Sequence, residues 1–292
     1  MNAHFTLDLA ADVRELLAYP FMVNALQAAG IAAVMAAVTG WFMVLRRETF
    51  AGHTLSMMSF PGAAAAALAG LPLAAGYFAF CAGGALVVAG TGVAGTGSRP
   101  ASGRGAEAQR AAAIGTVGAG ALAIGFVLLS VYGGVLENLE SLLFGSIFGV
   151  TRGEVLTLAI VAVCTLACLA VLGRPLLFAS VDGMLAGASG VPVGAVSTAF
   201  LVLLGLAVAA TAQITGILLV FALLVAPAAI ARELTPRIAL GLTLSVVFGL
   251  TVAWLGLALS YFTNYSAGFF TTSAAVALFA LARAARRLGV VR

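Results

Sequence analysis

The chain has 292 residues, of which 63% are hydrophobic and only 8% are charged, and its net charge is +4. Soluble domains carry about 25% charged residues, so this composition excludes a water-soluble protein and predicts an all-α, polytopic integral membrane protein in contact with lipid. All 14 basic residues are arginines. Without lysine the chain has no Walker A loop for ATP and no Schiff-base chemistry. The arginines are scattered between apolar runs, which excludes nucleic acid as a partner.

Nine apolar segments follow one another along the chain, and most approach the length of about 20 residues that a helix needs to cross hydrocarbon. They are residues 21–45, 53–71, 73–93, 111–135, 155–172, 193–211, 214–231, 238–259 and 266–281. Residues 95–110 are rich in Gly, Ser and Arg, which is typical of a flexible loop. Residues 137–150 are too short and too interrupted to cross alone, so we expect an interfacial or re-entrant helix there.

The positions of the arginines predict the orientation, because cytoplasmic loops accumulate basic residues. With nine crossings, the N-terminus outside and the C-terminus inside, 12 of the 14 arginines lie on the inner side, and Arg14 and Arg152 lie outside. The predicted parts are an extracytoplasmic tail at 1–20, a membrane domain at 21–282 with cytoplasmic loops near 95–110 and 174–192, and a basic cytoplasmic tail at 283–292.

The ten acidic residues all fall in loops or at segment ends. Ion-coupled carriers keep carboxylates near the middle of the membrane. Their absence from the apolar segments argues against ion-coupled transport and against an intramembrane hydrolase. We therefore expect no catalytic residue in this chain, and a carrier of this kind needs energy from another subunit.

His53 and Met57 are spaced to share one helix face near the start of the second apolar segment. An imidazole and a thioether together can bind a borderline or soft metal ion. The alternative is that His53 makes a structural hydrogen bond and Met57 packs, since two ligands do not make a site. The three cysteines, Cys81, Cys164 and Cys168, lie in apolar runs and are expected to be packed thiols.

The predicted loop at 174–192 contains the pattern of a short helix over 181–188. Asp182 can cap its start, and Gly190 and Pro192 stop helices. The segment is either an ordinary surface loop or a docking helix for a cytoplasmic partner.

Four segments in order resemble the permease subunits of ATP-binding-cassette importers for zinc, manganese and iron. They are VLRR (44–47) followed by FAGHTLSMMSFPG (50–62), LLFGSIFG (142–149), the loop with Asp182, Ala186 and Gly190-Val-Pro, and GILLVFALLVAPAAIAR (216–232). The first resembles the family's arginine pair and its GDALSHAxLPG signature. The residues that match structural positions of the family motifs are Arg46, Arg47, Gly52, Pro61, Gly62, Gly216 and Pro227.

The resemblance, which covers about residues 21–282, implies a homodimer in a plasma membrane of bacterial type, with the ion path at or near the dimer interface. It implies cytoplasmic ATPase subunits that hydrolyse ATP, an extracytoplasmic metal-binding protein, and a transition-metal ion as cargo, with no resident cofactor. Contact with the ATPase is assigned to Asp182, Ala186 and Gly190. The alternatives are a permease for a metal chelate, such as a siderophore or cobalamin, and a membrane scaffold subunit that transports nothing.

The chain departs from the family signature at two positions. His53 replaces an aspartate and Met57 replaces a histidine. The exchange removes a negative charge and softens the donors, which disfavours manganese relative to zinc or copper(I). His53 and Met57 are therefore the candidate metal ligands, and a purely structural His53 is the alternative.

Overall fold

A computed structural model of the chain describes residues 14, 16–93, 104–132, 147–263 and 265–288. Every regular element in these ranges is helical, which confirms the predicted all-α class. The α-helices are α1 (Pro20–Leu45), α2 (Thr49–Leu68), α3 (Leu73–Val88), α4 (Arg104–Tyr132), α5 (Arg152–Val181), α6 (Gly183–Ala188), α7 (Val193–Thr215), α8 (Ile217–Leu234), α9 (Ile238–Thr263) and α10 (Ala267–Arg287). A π-helical turn, Ala89–Val93, follows α3, and a 3-10 turn, Ile147–Gly149, precedes α5.

Seven helices of the described part are long and apolar enough to cross a membrane. They are α1, α3 with its π-helical extension, most of α4, α5, α7, α9 and α10. The other two long helices are α2, with 20 residues, and α8, with 18. The multi-pass membrane class is therefore confirmed, whereas nine crossings and the orientation of the termini stay predictions.

The bundle has two central helices, α1 and α7, and α2, which carries several polar side chains, packs beside them. α1 packs against α5, α7, α8 and α9, and α2 packs against α3, α4, α7 and α8. The outer faces of α4, α5 and α9 expose large apolar side chains, among them Phe126, Val163 and Trp254, as expected for helices that meet lipid. The polar side chains of α2 instead lie inside the bundle.

Glycines bring α2 and α3 into backbone contact. A Cβ atom on Gly62 would lie 2.5 Å from the carbonyl oxygen of Gly76, and a Cβ atom on Gly76 would come still closer to the carbonyl oxygen of Gly62. Small residues allow such close approach of helices in membranes, where packing rather than the hydrophobic effect drives association. The two glycines therefore fix how closely α3 covers α2.

Several arginines lie close together at one end of the bundle. The C-terminal ends of α1, α5 and α8 and the N-terminal ends of α2 and α4 line one groove of about 760 Å³, here called the arginine groove, which contains Arg46, Arg47, Arg110 and Arg232. A 2.7 Å ion pair between Arg286 and Glu233 adds the end of α10. Five arginines predicted to share the inner side therefore lie at the same end of the molecule.

Two helices continue beyond the apolar segments predicted for them. The loop predicted at 174–192 is helical as far as Val181, because α5 continues through Pro175. Proline removes a single donor from the helix, and Leu176 directly after it is fully buried, so core packing outweighs the local helix-breaking preference. The basic tail predicted from residue 283 begins inside α10, which ends at Arg287.

The cysteine prediction holds in part, and other predictions lie beyond the description. Cys81 is buried, but Cys164 and Cys168 are exposed on α5, so the expectation that they pack is wrong. Most of the predicted tail at 1–20, the loop over 94–103 and the segment over 133–146, with the first five residues of LLFGSIFG, lie outside the described residues.

Replacing Gly76 with alanine tests the contact between α2 and α3. The new methyl group would overlap the Gly62 carbonyl oxygen, and we expect overpacking to lower the free energy of unfolding by about 1–3 kcal/mol. Gly83→Ala on the same helix is the matched control, since a Cβ atom there meets nothing within 4 Å, and alanine should gain up to about 1 kcal/mol of helix propensity. Unfolding midpoints in detergent measure both, and equal midpoints would contradict the backbone contact.

Candidate functional site

The hydroxyl groups of α2 have partners inside the bundle. The Thr54 hydroxyl donates to the carbonyl oxygen of Ile114 in α4 at 3.5 Å, and the Ser56 hydroxyl donates to the carbonyl oxygen of His53 at 2.7 Å. Ser59 Oγ lies 3.3 Å from Cys81 Sγ of α3. Buried polar groups of native proteins are normally satisfied in this way, so these side chains have a structural explanation.

His53 is the exception on α2. Its Nδ1 atom is buried and has no hydrogen-bond partner among the described residues. The half-buried imidazole meets the edge of Phe221 on α8, with 4.7 Å between ring centroids. Neutral imidazole nitrogen is a common metal ligand in proteins. The structure therefore leaves a potential donor atom of His53 without a protein partner.

Met57 lies one turn after His53 and is also half-buried. Its sulfur faces α4 closely enough that a Cβ atom on Gly118 would lie 3.6 Å from it. Pro61 lies inside the continuous helix α2. As a proline it has no N–H group to donate to the carbonyl oxygen of Met57, four residues before it. The predicted pair is thus brought to one stretch of α2, together with a backbone oxygen that has lost its usual helical donor.

The described residues contain no group of three or more His, Cys, Asp and Glu side chains close enough to hold a metal ion. A closed structural site, which takes four such ligands, is therefore absent from this part of the chain. Any ion held at His53 would use Met57, backbone oxygen, water or atoms of another chain.

The other residues that matched family positions have packing and turn roles. Gly52 is buried against the sulfur of Met43, so any larger residue at position 52 would displace the Met43 side chain. Gly216 forms the sharp connection from α7 to α8 with φ 80° and ψ 160°, a conformation that favours glycine. Pro227 is buried inside α8, and a Cβ atom on Gly249 of α9 would lie 3.7 Å from its ring.

Arg46 forms a buried polar cluster at the end of α1. Its guanidinium donates from Nε and Nη2 to Glu48 Oε1 at 3.1 and 3.0 Å, from Nη2 to Ser197 Oγ at 2.7 Å and from Nη1 to Ser180 Oγ at 3.4 Å. Its Cζ atom lies 5.5 Å from the ring centre of Phe200. The Arg46 and Glu48 side chains are only 7% and 9% exposed. These residues are called the Arg46 cluster below.

Burial raises the pKa of the Glu48 carboxyl, and the charges of Arg46 and Arg110 offset part of that effect. Glu48 Oε2 is buried without a hydrogen-bond partner among the residues described. Arg47, the second arginine of the pair, is exposed in the left-handed region at φ 59° and turns the chain toward α2. The two arginines therefore have different roles, one as a buried donor and one in the turn.

The short helix α6 begins at Gly183 rather than at the predicted residue 181, and Asp182 is its N-cap. The Asp182 carboxylate accepts a 2.9 Å hydrogen bond from the backbone N–H of Leu185, which confirms the predicted cap. Ala186 is fully buried, and Gly190 takes φ 86° where the chain leaves the helix. Ala186 holds the helix to the bundle.

The outer face of α6 is apolar and open. Met184 and Leu185 of α6 are 74% and 55% exposed, and Val181 at the end of α5 is 77% exposed. Asp182, Gly183 and Met184 also line the arginine groove. An exposed apolar face beside a groove of arginines is typical of a surface that another protein covers.

A bundle of apolar helices around an enclosed polar helix defines this chain as a multi-pass membrane protein. Residues 18–286 match the ABC 3 transport family, and the chain belongs to that family. The match confirms the resemblance drawn from the four sequence segments.

Three comparisons describe similar proteins. The manganese transport system membrane protein MntC of Halalkalibacterium halodurans is 31% identical over 92% of this chain and 88% of its own length. The chelated iron transport system membrane protein YfeC of Yersinia pestis is 28% identical over 86% of this chain and 81% of its own. A chain of the solved structure of PsaBC from Streptococcus pneumoniae, in complex with Fab, is 29% identical, with a TM-score of 0.79 over 94% of this chain and 95% of that one.

Glu48 makes the stability of the fold depend on pH. Its folded-state pKa is raised above the ordinary value of 4.5, so its contribution to stability is fully present below pH 4.5 and is lost as pH rises through the folded-state pKa. We expect the free energy of unfolding of the parent to fall over this window relative to that of Glu48→Gln, which has no carboxyl to titrate. Unfolding in detergent at stepped pH measures the difference, and parallel curves would contradict the raised pKa.

Proposed function

We propose that the chain is the membrane permease subunit of an ATP-binding-cassette importer that moves a divalent transition-metal ion into the cytoplasm, across a plasma membrane of bacterial type. The observation that carries the proposal is His53, whose buried Nδ1 lacks a protein partner on a helix where the hydroxyl groups are satisfied. The names of the relatives, which refer to manganese and to chelated iron transport, support a metal as cargo.

The proposed topology has nine crossings, the N-terminus outside and the C-terminus inside. It counts α2 and α8 as crossings, since a 20-residue helix is about 30 Å long, the thickness of the hydrocarbon layer. The arginine groove supports it, because the ends of α1, α5 and α8 and the starts of α2 and α4 meet there, as alternating crossings require. Positive charge marks that end as the cytoplasmic one.

The cargo is a small ion rather than a bulky chelate. The imidazole of His53 packs against the ring of Phe221 with 4.7 Å between ring centroids, so a siderophore or cobalamin does not fit between these two rings. The arginine groove, at about 760 Å³, is the larger opening, but in the proposed topology it lies at the cytoplasmic end, away from His53. The scaffold alternative gains no support, since the similar proteins carry the names of transport systems.

The donor set of the proposed site is softer than the signature it departs from. Imidazole and thioether, with the carbonyl oxygen of Met57 that lacks its usual helical donor, suit zinc or copper(I) better than manganese. Because the site has no carboxylate, it holds the ion weakly, which favours release on the inner side. Selection of the ion then rests largely on the extracytoplasmic metal-binding protein that delivers it.

The double variant His53→Ala, Met57→Leu tests the site. With the permease reconstituted beside its ATPase and binding protein, we expect zinc and copper uptake to fall roughly tenfold or more, and manganese uptake to fall less because manganese prefers oxygen donors. Met58→Leu is the matched control, since Met58 is a buried neighbour that packs on Gly84 of α3. Uptake of all three metals at the level of the control would rule out His53 and Met57 as a selectivity site.

The proposed homodimer uses the face on which His53 lies. α8 has half-buried residues there, Phe221, Ala222, Val225, Ala226 and Ala229, and Phe221 contacts the half-buried His53 of α2. Small residues on one helix face are typical of helix association in membranes. A second copy on this face would place two such sites together at the dimer interface and close the ion path against lipid.

The proposed ATPase contact is α6, with Asp182, Ala186 and Gly190 in supporting roles. Asp182 caps the helix, buried Ala186 seats it and Gly190 ends it, while Met184 and Leu185 face outward. The ATPase subunits would hydrolyse ATP and bind this outer face from the cytoplasm. Replacing Asp182 and Ala186 with bulky or oppositely charged residues should uncouple hydrolysis from transport by unseating the helix.

A sharper variant leaves the seat of α6 intact. Met184→Glu with Leu185→Glu places two charges on the outer face, and we expect ATPase binding to weaken by at least about tenfold, because apolar contacts at the centre of an interface dominate its affinity. Tyr265→Glu is the matched control, since Tyr265 is exposed, at 69%, between α9 and α10 at the opposite end of the bundle. Co-purification with the ATPase measures binding, and equal recovery of both variants would exclude α6 as the contact.

A further inference from the structure

We infer that Arg46 is a positioning residue that ties both ends of the α6 segment to the start of α2, so that a displacement of α6 by the ATPase reaches the helix that carries His53. The inference rests on the proposed role of α6. Neither the family match nor the names of the relatives assign a role to this buried side chain.

The first ties run to the two helices that flank α6. Nη1 of Arg46 lies 3.4 Å from the hydroxyl oxygen of Ser180, in the last turn of α5 just before the Asp182 cap. Nη2 lies 2.7 Å from the hydroxyl oxygen of Ser197, near the start of α7 just after the segment ends. One guanidinium therefore contacts the chain on both sides of the proposed docking helix.

The third tie runs to α2. Nε and Nη2 of Arg46 bind Oε1 of Glu48 at 3.1 and 3.0 Å, and Glu48 is the N-cap residue of α2. His53 follows in the second turn of the same helix. Because hydrogen bonds hold an α-helix rigid along its axis, a shift at Glu48 moves the imidazole with it.

The chemistry of arginine makes these ties act together. A guanidinium is planar and rigid, so its donors keep a fixed geometry relative to one another. The side chain is 7% exposed and its plane lies near Phe200, so water cannot replace a lost partner cheaply. A buried charge that loses its partners is strongly destabilised, and α5, α7 and α2 therefore move together rather than apart.

A merely structural Arg46 would affect stability but not the number of ions moved per ATP. The test variant is Arg46→Gln with Glu48→Gln, which removes both buried charges at once and avoids leaving one unpaired. Reconstituted with the ATPase and the binding protein, it is assayed for zinc taken up per ATP hydrolysed and for its unfolding midpoint. We expect the ratio to fall by at least about tenfold, a usual size for coupling between sites, while ATP hydrolysis and assembly persist.

The matched control is Arg174→Ala, which removes an exposed arginine of α5 outside the cluster and should leave the ratio within about twofold of the parent. Ser197→Ala keeps the ion pair and removes one tie, so we expect a smaller fall. If the double variant does not assemble, Ser197→Ala with Phe200→Leu decides in its place. A ratio equal to the control in the variant that assembles overturns the inference.

The variant Met184→Glu, Leu185→Glu separates this inference from the proposed function. If that variant loses the ATPase while the cluster variant keeps a normal ratio, only the role of Arg46 is overturned. If the α6 variant binds the ATPase normally, the docking role of α6 falls and the role of Arg46 falls with it. If the α6 variant loses the ATPase and the Arg46 cluster variant takes up less zinc per ATP, the docking role of α6 and the role of Arg46 are both supported.

Discussion

Hydrocarbon offers no hydrogen bonds, so every polar group within a membrane needs a partner inside the protein. This constraint explains why α2, the helix with His53 and several hydroxyl groups, is covered by α3, α4, α7 and α8. Gly62 and Gly76 allow α3 to approach it to backbone distance, while Thr54 and Ser59 find partners on α4 and α3. Because the buried hydroxyl groups of α2 have hydrogen-bond partners, the lack of a partner at Nδ1 of His53 marks this atom as a candidate ligand.

The same demand for partners acts at the end of the bundle that holds the arginine groove, where a charge is buried instead of a hydroxyl group. Removing one member of a buried ion pair costs about 3–5 kcal/mol, so Arg46 and Glu48 hold each other in place between α1 and α2. Ser197 and Phe200 complete the surroundings of the guanidinium. The proposed ion site and the proposed ATPase contact are thus joined by one cluster.

Local pattern predicted much of the fold but not its long-range contacts. Apolar runs located the long helices, and Asp182 was recognisable as a cap because capping depends on neighbouring residues. Pro175 suggested that the helix ends near residue 172. The helix continues because Leu176 is buried in the core, and this tertiary contact cannot be seen in the local sequence. The partners of Arg46, Ser180 and Ser197, lie 134 and 151 residues away, and no periodicity could indicate them. A glutamate directly after the arginine pair was the one local signal of a buried ion pair.

The contact of Gly62 with Gly76 also determines which parts of the pathway can change shape. Two backbones in direct contact have no side chain between them that could adopt another rotamer, so α2 and α3 behave as one rigid body. His53 meets the ring of Phe221 on α8, and a ring can rotate about its side-chain bonds. In the proposed ion path, a change of shape at His53 therefore falls to the α8 side, where the ring of Phe221 can turn while α2 and α3 stay together.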